Sequence, residues 1–302
     1  MTTAERGYPV PVLILAILAI STSAVLVRLA PDVHPVALAL WRVLIVGALL
    51  APSLVVERPK LTARDGLLIL GAGALLALHF WTWFASLHHT TVMRSTVLVC
   101  LTPVWAALVE WATLKSPPSS RFWPGILLAL VGVILMSGLI LGGGSFSLLG
   151  DGLALLGGVF SAVYLVVGRA VRQRVSIGPY GSLICLSCAG WLLIAAAGTG
   201  ATLWGFPTSA WLAIAGLAIG PQLFGHIGLN YAVRYVTAAL VAALTLLEPV
   251  GATLLGAAIL AEYPSMTEVA GGALILCGLA VVTIPSAQIF SSEKTSTSTP
   301  GE

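Results

Sequence analysis

The chain has 302 residues, 58% of them hydrophobic and only 8% charged, with a mean hydropathy of +1.03. A soluble domain carries about 25% charged residues, so this composition excludes a water-soluble globule and specifies an integral membrane protein. The net charge of +3 is small, and no basic cluster with interleaved aromatic residues suggests a nucleic-acid partner.

A membrane-crossing helix needs about 20 mostly apolar residues. Ten stretches qualify: 9–29, 35–56, 66–87, 91–114, 122–141, 150–171, 177–198, 210–233, 237–260 and 265–285. The first is too long for the roughly 7–15-residue core of a signal peptide, so it is expected to stay as an anchor. A short segment, residues 1–8, precedes it, and the polar Ser/Thr tail 286–302 is expected to be disordered and cytoplasmic.

Lys and Arg in the short loops set orientation. With the N-terminus in the cytoplasm, the inner side receives Arg6, Arg58, Lys60, Arg64, Lys115, Arg121, Arg169, Arg172, Arg174, Arg234 and Lys294. The outer side keeps Arg28 and Arg94, and Arg42 lies within a helix. The expectation is a multi-pass protein of the bacterial inner membrane with both termini cytoplasmic.

The stretch 91–132 occurs twice. Thr91 aligns with Thr237, a shift of 146 residues, and without a gap so do Leu101/Leu247, Pro103/Pro249, Val104/Val250, Gly125/Gly271 and Gly132/Gly278. Aligned prolines and glycines weigh more than matching Leu or Ala, because each constrains the backbone in its own way. Internal duplication divides the chain into a first repeat, 9–141, a linker, 142–149, and a second repeat, 150–285. Five helices per repeat make the second copy enter the membrane from the opposite side, an inverted pair with a site expected near the midplane between the halves. Gly142–Gly143–Gly144–Ser145 lacks the Lys of a phosphate-binding loop and reads as linker.

Leu247-Glu248-Pro249-Val250, Glu262 and Gly271-Gly272-Ala273-Leu274-Ile275-Leu276 resemble the second EamA repeat of the drug/metabolite transporter superfamily. Leu101-Thr102-Pro103-Val104, residues 125–132 and Trp41-Arg42 are similar to the corresponding parts of the first repeat. The aromatic run His79-Phe80-Trp81-Thr82-Trp83-Phe84 resembles that of the bacterial aromatic amino acid exporters. The resemblance implies an all-α fold of ten transmembrane helices, two inverted five-helix repeats forming a basket around a central cavity. It also implies export of amino acids or related metabolites. Where the family has Gly-Glu after the fourth helix this chain has Lys115-Ser116, so that acid is missing from the first repeat.

Several residues are candidates for the site. Glu248, near the middle of the ninth helix, stands out as the acidic residue near a midplane, where a charge costs at least about 2.5 kcal/mol on insertion scales. It is expected to contact an ammonium group or carry a proton, or else to cap backbone freed by Pro249 or pair with Arg42. Arg42 could bind a substrate carboxylate or snorkel outward. His79 and His226 lie at roughly mirrored depths and could donate to a substrate, shuttle protons, or bond between helices. Trp83, Trp105, Tyr164 and Tyr231, with Trp81 and Phe224, could form flat apolar walls. Trp81 and Trp83 are about 200° apart around a helix, so one face is chosen: His79 with Trp83, at i and i+4. Pro103 and Pro249 are expected to kink their helices, as paired hinges or static bends.

Four cysteines, Cys100, Cys185, Cys188 and Cys277, lie in apolar runs and imply packing rather than disulfides or a metal. No cofactor is expected. No HExxH or GxSxG motif suggests an enzyme, and nothing binds ATP, so a secondary transporter is expected. Its partners are small-molecule substrates, amino acids first, and the lipid bilayer, and a monomer would suffice.

Overall fold

The computed structural model describes residues 9–86, 89–90, 92–136, 147–260 and 263–283. Among these the secondary structure is entirely helical. Nine helices among the described residues are long and apolar enough to cross a membrane: α1 (Pro9–Val27), α2 (Pro35–Glu57), α3 (Ala63–Ser86), α4 (Val97–Leu114), α6 (Leu148–Arg172), α7 (Ile177–Thr199), α8 (Thr208–Ala232), α9 (Ala238–Leu255) and α10 (Met266–Thr283). A tenth apolar helix, α5 (Phe122–Met136), is described over a shorter length. Its expected continuation to 141, most of the linker, Glu262 and the tail lie outside the described residues. The protein is an all-α, multi-pass membrane protein, and the ten expected stretches coincide with α1–α10.

Helix pairing follows the duplication. The 146-residue shift carries α1–α5 onto α6–α10. Helix α3 packs on α6, and the shifted partners α8 and α1 also pack together. The pairs α2–α7, α4–α9 and α5–α10 each map onto themselves, and all three are in contact. A two-fold relation between the halves produces this pattern. Because each half has five helices, an odd number, the two copies run in opposite directions through the membrane.

The α5–α10 seam shows the relation at atomic scale. A Cβ added to Gly125 would lie 2.7 Å from the Gly278 carbonyl oxygen, and one on Gly278 would lie 2.5 Å from that of Gly125. Gly132 and Gly271 are held in the same reciprocal way, at 2.5 and 2.6 Å. The glycines that align in sequence, 125 with 271 and 132 with 278, thus meet crosswise in space. Only glycine permits so close a backbone approach, the usual basis of tight helix pairs in lipid.

Regular helix fails at a few places, and each has a local cause. In α4 a turn at Cys100–Leu101 precedes the segment Thr102–Leu114, whose second residue is Pro103. In α9 a 3-10 turn, Thr245–Leu247, precedes the segment Glu248–Leu260, whose second residue is Pro249. Proline lacks an N–H and crowds the carbonyl four residues back, so both breaks fall just before it, as expected for kinks. In α8 the nine residues Ala218–His226 form a π-helix around Pro221. In α1 a turn at Thr22 separates Pro9–Ser21 from Ser23–Arg28, and Thr22 Oγ1 donates to Ala19 O at 2.7 Å.

The bundle end that carries the termini is held by charge. Glu110 of α4 is 1% exposed and pairs with Arg169 of α6. Its two oxygens also accept from the backbone N–H groups of Ala238 and Ala239, both at 3.1 Å. These belong to the first turn of α9, where N–H groups have no intrahelical partner and the helix dipole favours an anion. Asp65 pairs with Arg174, Ser176 donates to Glu57, and Arg172 donates to the carbonyls of Asn230 and Val175. The opposite end is closed more by rings: Trp41 packs on Trp204 and Trp211 and donates to Leu203 O at 2.8 Å.

Glu110→Ala would leave two buried N–H groups and Arg169 without their acceptor. Unsatisfied buried groups cost about 1–3 kcal/mol each, so the variant's thermal midpoint in detergent should fall clearly below wild type. Adding Arg169→Ala should recover part of the loss, because the unpaired cation is then gone. An unchanged midpoint for Glu110→Ala would show that the clamp does not hold the fold.

Candidate functional site

The breaks surround a cavity of about 350 Å³. Its wall is drawn from both halves: α1 and α4 supply Ser23, Cys100 and Thr102, α2 supplies Arg42, and α3 supplies His79, Trp83 and Phe84. From the second half come Ser161 and Tyr164 of α6, Pro221 and His226 of α8, and Thr245, Glu248 and Pro249 of α9. On α1, α2 and α3 these positions lie in the half of each helix that is away from the termini. Towards the termini the packing closes, with Tyr164 buried and bonded to Asn230, and Arg172 and Tyr180 buried beyond it.

Arg42 is 1% exposed, so of the two readings left open it does not take the outward, snorkelling one. Its Nε–H donates to Gln222 Oε1 at 3.1 Å, and its Cζ lies 4.3 Å from the centroid of the Phe80 ring. Nη2 is buried without a hydrogen-bond partner. Arg42 and Glu248 both line the cavity yet form no ion pair with each other, which sets aside direct pairing among the alternatives for Glu248. The cavity wall therefore carries one guanidinium and one carboxyl group that are not paired with each other.

Rings form one side of it. His79 stacks on Trp83 with centroids 6.0 Å apart, and Trp83 stacks on Phe84 at 5.2 Å. His79 Nδ1 lies 2.9 Å from the Gly157 carbonyl. That oxygen can only accept, so Nδ1 carries the proton and Nε2 is left without a protein partner. His226 meets Phe80 edge-on at 5.3 Å.

A scan against family profiles matches the EamA-like transporter family over residues 8–138 and again over 148–284. The chain belongs to the EamA-like transporter family. Two matched segments reproduce the two repeats, and this places the protein in the drug/metabolite transporter superfamily. A solved structure, described only as a crystal structure of a protein, superposes with a TM-score of 0.80, covering 94% of this chain and 99% of that one at 23% identity. At that identity the likeness concerns the fold. No curated protein matches the chain.

In this EamA-like protein the site candidates separate by position. Arg42, His79, Trp83, Tyr164, His226, Glu248 and Pro249 are on the cavity wall, and Trp83 rather than Trp81 shares the face of His79. Trp105, Tyr231 and Pro103 are not on it. Trp105 packs against the core with its Nε1 buried and unpartnered. Tyr231 packs on Tyr235 at 5.1 Å, near the end of α8 and below the cavity. Pro103 is buried one residue past the wall residue Thr102.

Among the buried polar residues that the sequence reading passed over, Gln222, 1% exposed, holds Arg42, and Glu110, 1% exposed, pairs with Arg169. The signal for both was available: a Gln directly after a mid-helix proline, and a Glu inside an apolar run with no like neighbour.

Because Trp83 is on the wall and Trp105 is not, Trp83→Ala should lower the preference for a ring-bearing over an aliphatic ligand of the same charge. A stacked ring pair is worth about 0.5–1.5 kcal/mol beyond area burial, so the ratio of dissociation constants should fall several-fold, and Trp105→Ala should leave it unchanged. Equal weakening of both ligands by Trp83→Ala would refute the assignment.

Proposed function

We propose that the protein is a secondary transporter that exports amino acids, aromatic or large apolar ones first, and related small metabolites. It works by alternating access across a bacterial inner membrane, with both termini cytoplasmic. One observation carries this reading: a single cavity between the inverted halves holds Arg42 and Glu248, unpaired with each other, beside the His79–Trp83–Phe84 shelf. A zwitterion offers a carboxylate to the planar guanidinium and an ammonium to the carboxylate, while its side chain lies against the rings. The volume of about 350 Å³ is at the low end of small-ligand pockets, roughly 300–1,000 Å³.

Orientation follows from charge. Arg58, Lys60, Arg64, Lys115, Arg121, Arg169, Arg172, Arg174 and Arg234 are all near the terminus end, and such residues collect in the cytoplasm. The described arrangement is then the outward-directed one, sealed on the cytoplasmic side by Tyr164–Asn230 and the Glu110 clamp. Pro103 and Pro249 act as hinges at the level of the cavity. The protein is read as a carrier, not an enzyme, and works without a cofactor.

Counterflow in proteoliposomes, with no ion gradient imposed, tests the reading. Internal unlabelled Phe, Trp or Met should drive transient accumulation of external label. Vesicles that contain folded protein and show no exchange with any amino acid would overturn the amino-acid assignment. If Glu248 also carries protons, Glu248→Gln should remove the dependence of flux on an imposed pH gradient while exchange persists; undiminished dependence would exclude that role.

A further inference from the structure

We infer that Gln222 is the positioning residue of a carboxylate subsite, holding the Arg42 guanidinium so that its free edge is presented to the cavity. The inference rests on the same cavity as the proposed function and adds a residue and a rule of specificity.

The geometry begins in the backbone. Within Ala218–His226 the chain widens into a π-helix around Pro221. The proline can accept no regular α-helical turn at its own N, and an extra residue in the turn absorbs the conflict; such single wide turns are common at functional sites. The shift of 146 residues aligns this segment with 72–80 of α3, where Leu75 and Leu76 stand in place of Pro221 and Gln222 and the helix is regular. The same shift aligns Arg42 with Cys188. Thus the arginine has no counterpart in the second half and the glutamine none in the first. The pair is a local departure from the duplication, and it joins the two halves.

The bond itself selects an edge of the guanidinium. Gln222 Oε1 takes the Nε–H of Arg42, and the Gln222 amide is fixed in turn because its Nε2–H donates to Cys185 Sγ at 3.5 Å. The Phe80 face at 4.3 Å holds the guanidinium plane. What remains is the Nη1–Nη2 edge, of which Nη2 is buried without a partner. Two parallel N–H groups on that edge match a carboxylate, where a lone ammonium would not. Had Gln222 served only to satisfy a buried arginine, a partner for Nη2 would be expected as well, since an unmet buried donor is costly.

Equilibrium binding to the detergent-solubilised full chain tests this with two probes of one shape, 3-phenylpropionate and its neutral amide. Wild type should prefer the carboxylate. Gln222→Met keeps the bulk and removes the acceptor, and should reduce that preference about tenfold, the scale of one charge-assisted hydrogen bond, with amide affinity changed less than twofold. Gln222→Glu keeps an acceptor but pairs with the guanidinium, and should reduce the preference as well; it serves if Gln222→Met does not fold. Equal losses for both probes would reveal a merely structural role and overturn the inference, as would an unchanged ratio or a wild type without preference. Counterflow with phenylalanine reports separately on the carrier: carboxylate preference without amino-acid exchange would leave Gln222 in place and sink the proposed substrate.

Discussion

In lipid every backbone N–H and C=O must be met from within the protein, and irregular backbone is tolerated at membrane depth only where it is buried or faces a cavity. This constraint organises the molecule. The turn at Thr22, the break at Cys100–Leu101, the π-helix Ala218–His226 and the 3-10 turn Thr245–Leu247 all border one space. Hydroxyls at two of them return hydrogen bonds to nearby carbonyls, Thr102 to Val99 and Thr245 to Ala242, and the Val99 carbonyl is the one that Pro103 leaves without its helical donor. The cavity exists because helices that cannot continue regularly must turn their irregular parts inward, and the site inherits its place from that.

The duplication builds the frame but not the chemistry. Crosswise glycines at the α5–α10 seam and the kinks before Pro103 and Pro249 are shared by both halves. The polar residues are not: Glu248 aligns with Thr102, His79 with Gly225, His226 with Phe80, Arg42 with Cys188 and Glu110 with Gly256. A symmetric frame with unlike groups on its two sides gives the cavity a direction, one face cationic, one acidic, one aromatic. An exact two-fold site would offer the same group twice and could not orient a molecule with different ends.

Much of this was legible in the sequence because it depends on period and spacing. Ten apolar stretches, the repeat and the two kinks follow from helix length, a constant shift and proline chemistry. The choice of Trp83 over Trp81 follows from 100° per residue, since α3 is regular throughout. The rule gives a face but not what packs on it: Trp105, three residues past the wall residue Thr102 in the same helical segment, packs against the core. Tyr231 lies past the π-helix of α8, which alters both rise and rotation, so its face is not read from a regular helix. Gln222 depends on that same wide turn, for which Pro221 is a cue but not a measure of the angle. The partners of Glu110 are on α6 and α9, 59 and 128 residues away in sequence, beyond the reach of any local pattern.

The Glu110 clamp also connects the seal to the site. Glu110 belongs to the first half and grips the first turn of α9, and the next segment of that same helix begins with Glu248 on the cavity wall. Only the 3-10 turn Thr245–Leu247 lies between the short helix Ala238–Leu244 and that segment. On an alternating-access reading the end that carries the termini opens only if Glu110 loses Arg169 and both N–H groups together, because a partial release leaves a buried carboxylate half-satisfied, the costliest arrangement. Such a contact favours two states over a continuum. A ligand held between Arg42 and Glu248 spans the same two halves that Glu110 joins, so its binding energy acts on the helix whose far end the clamp secures.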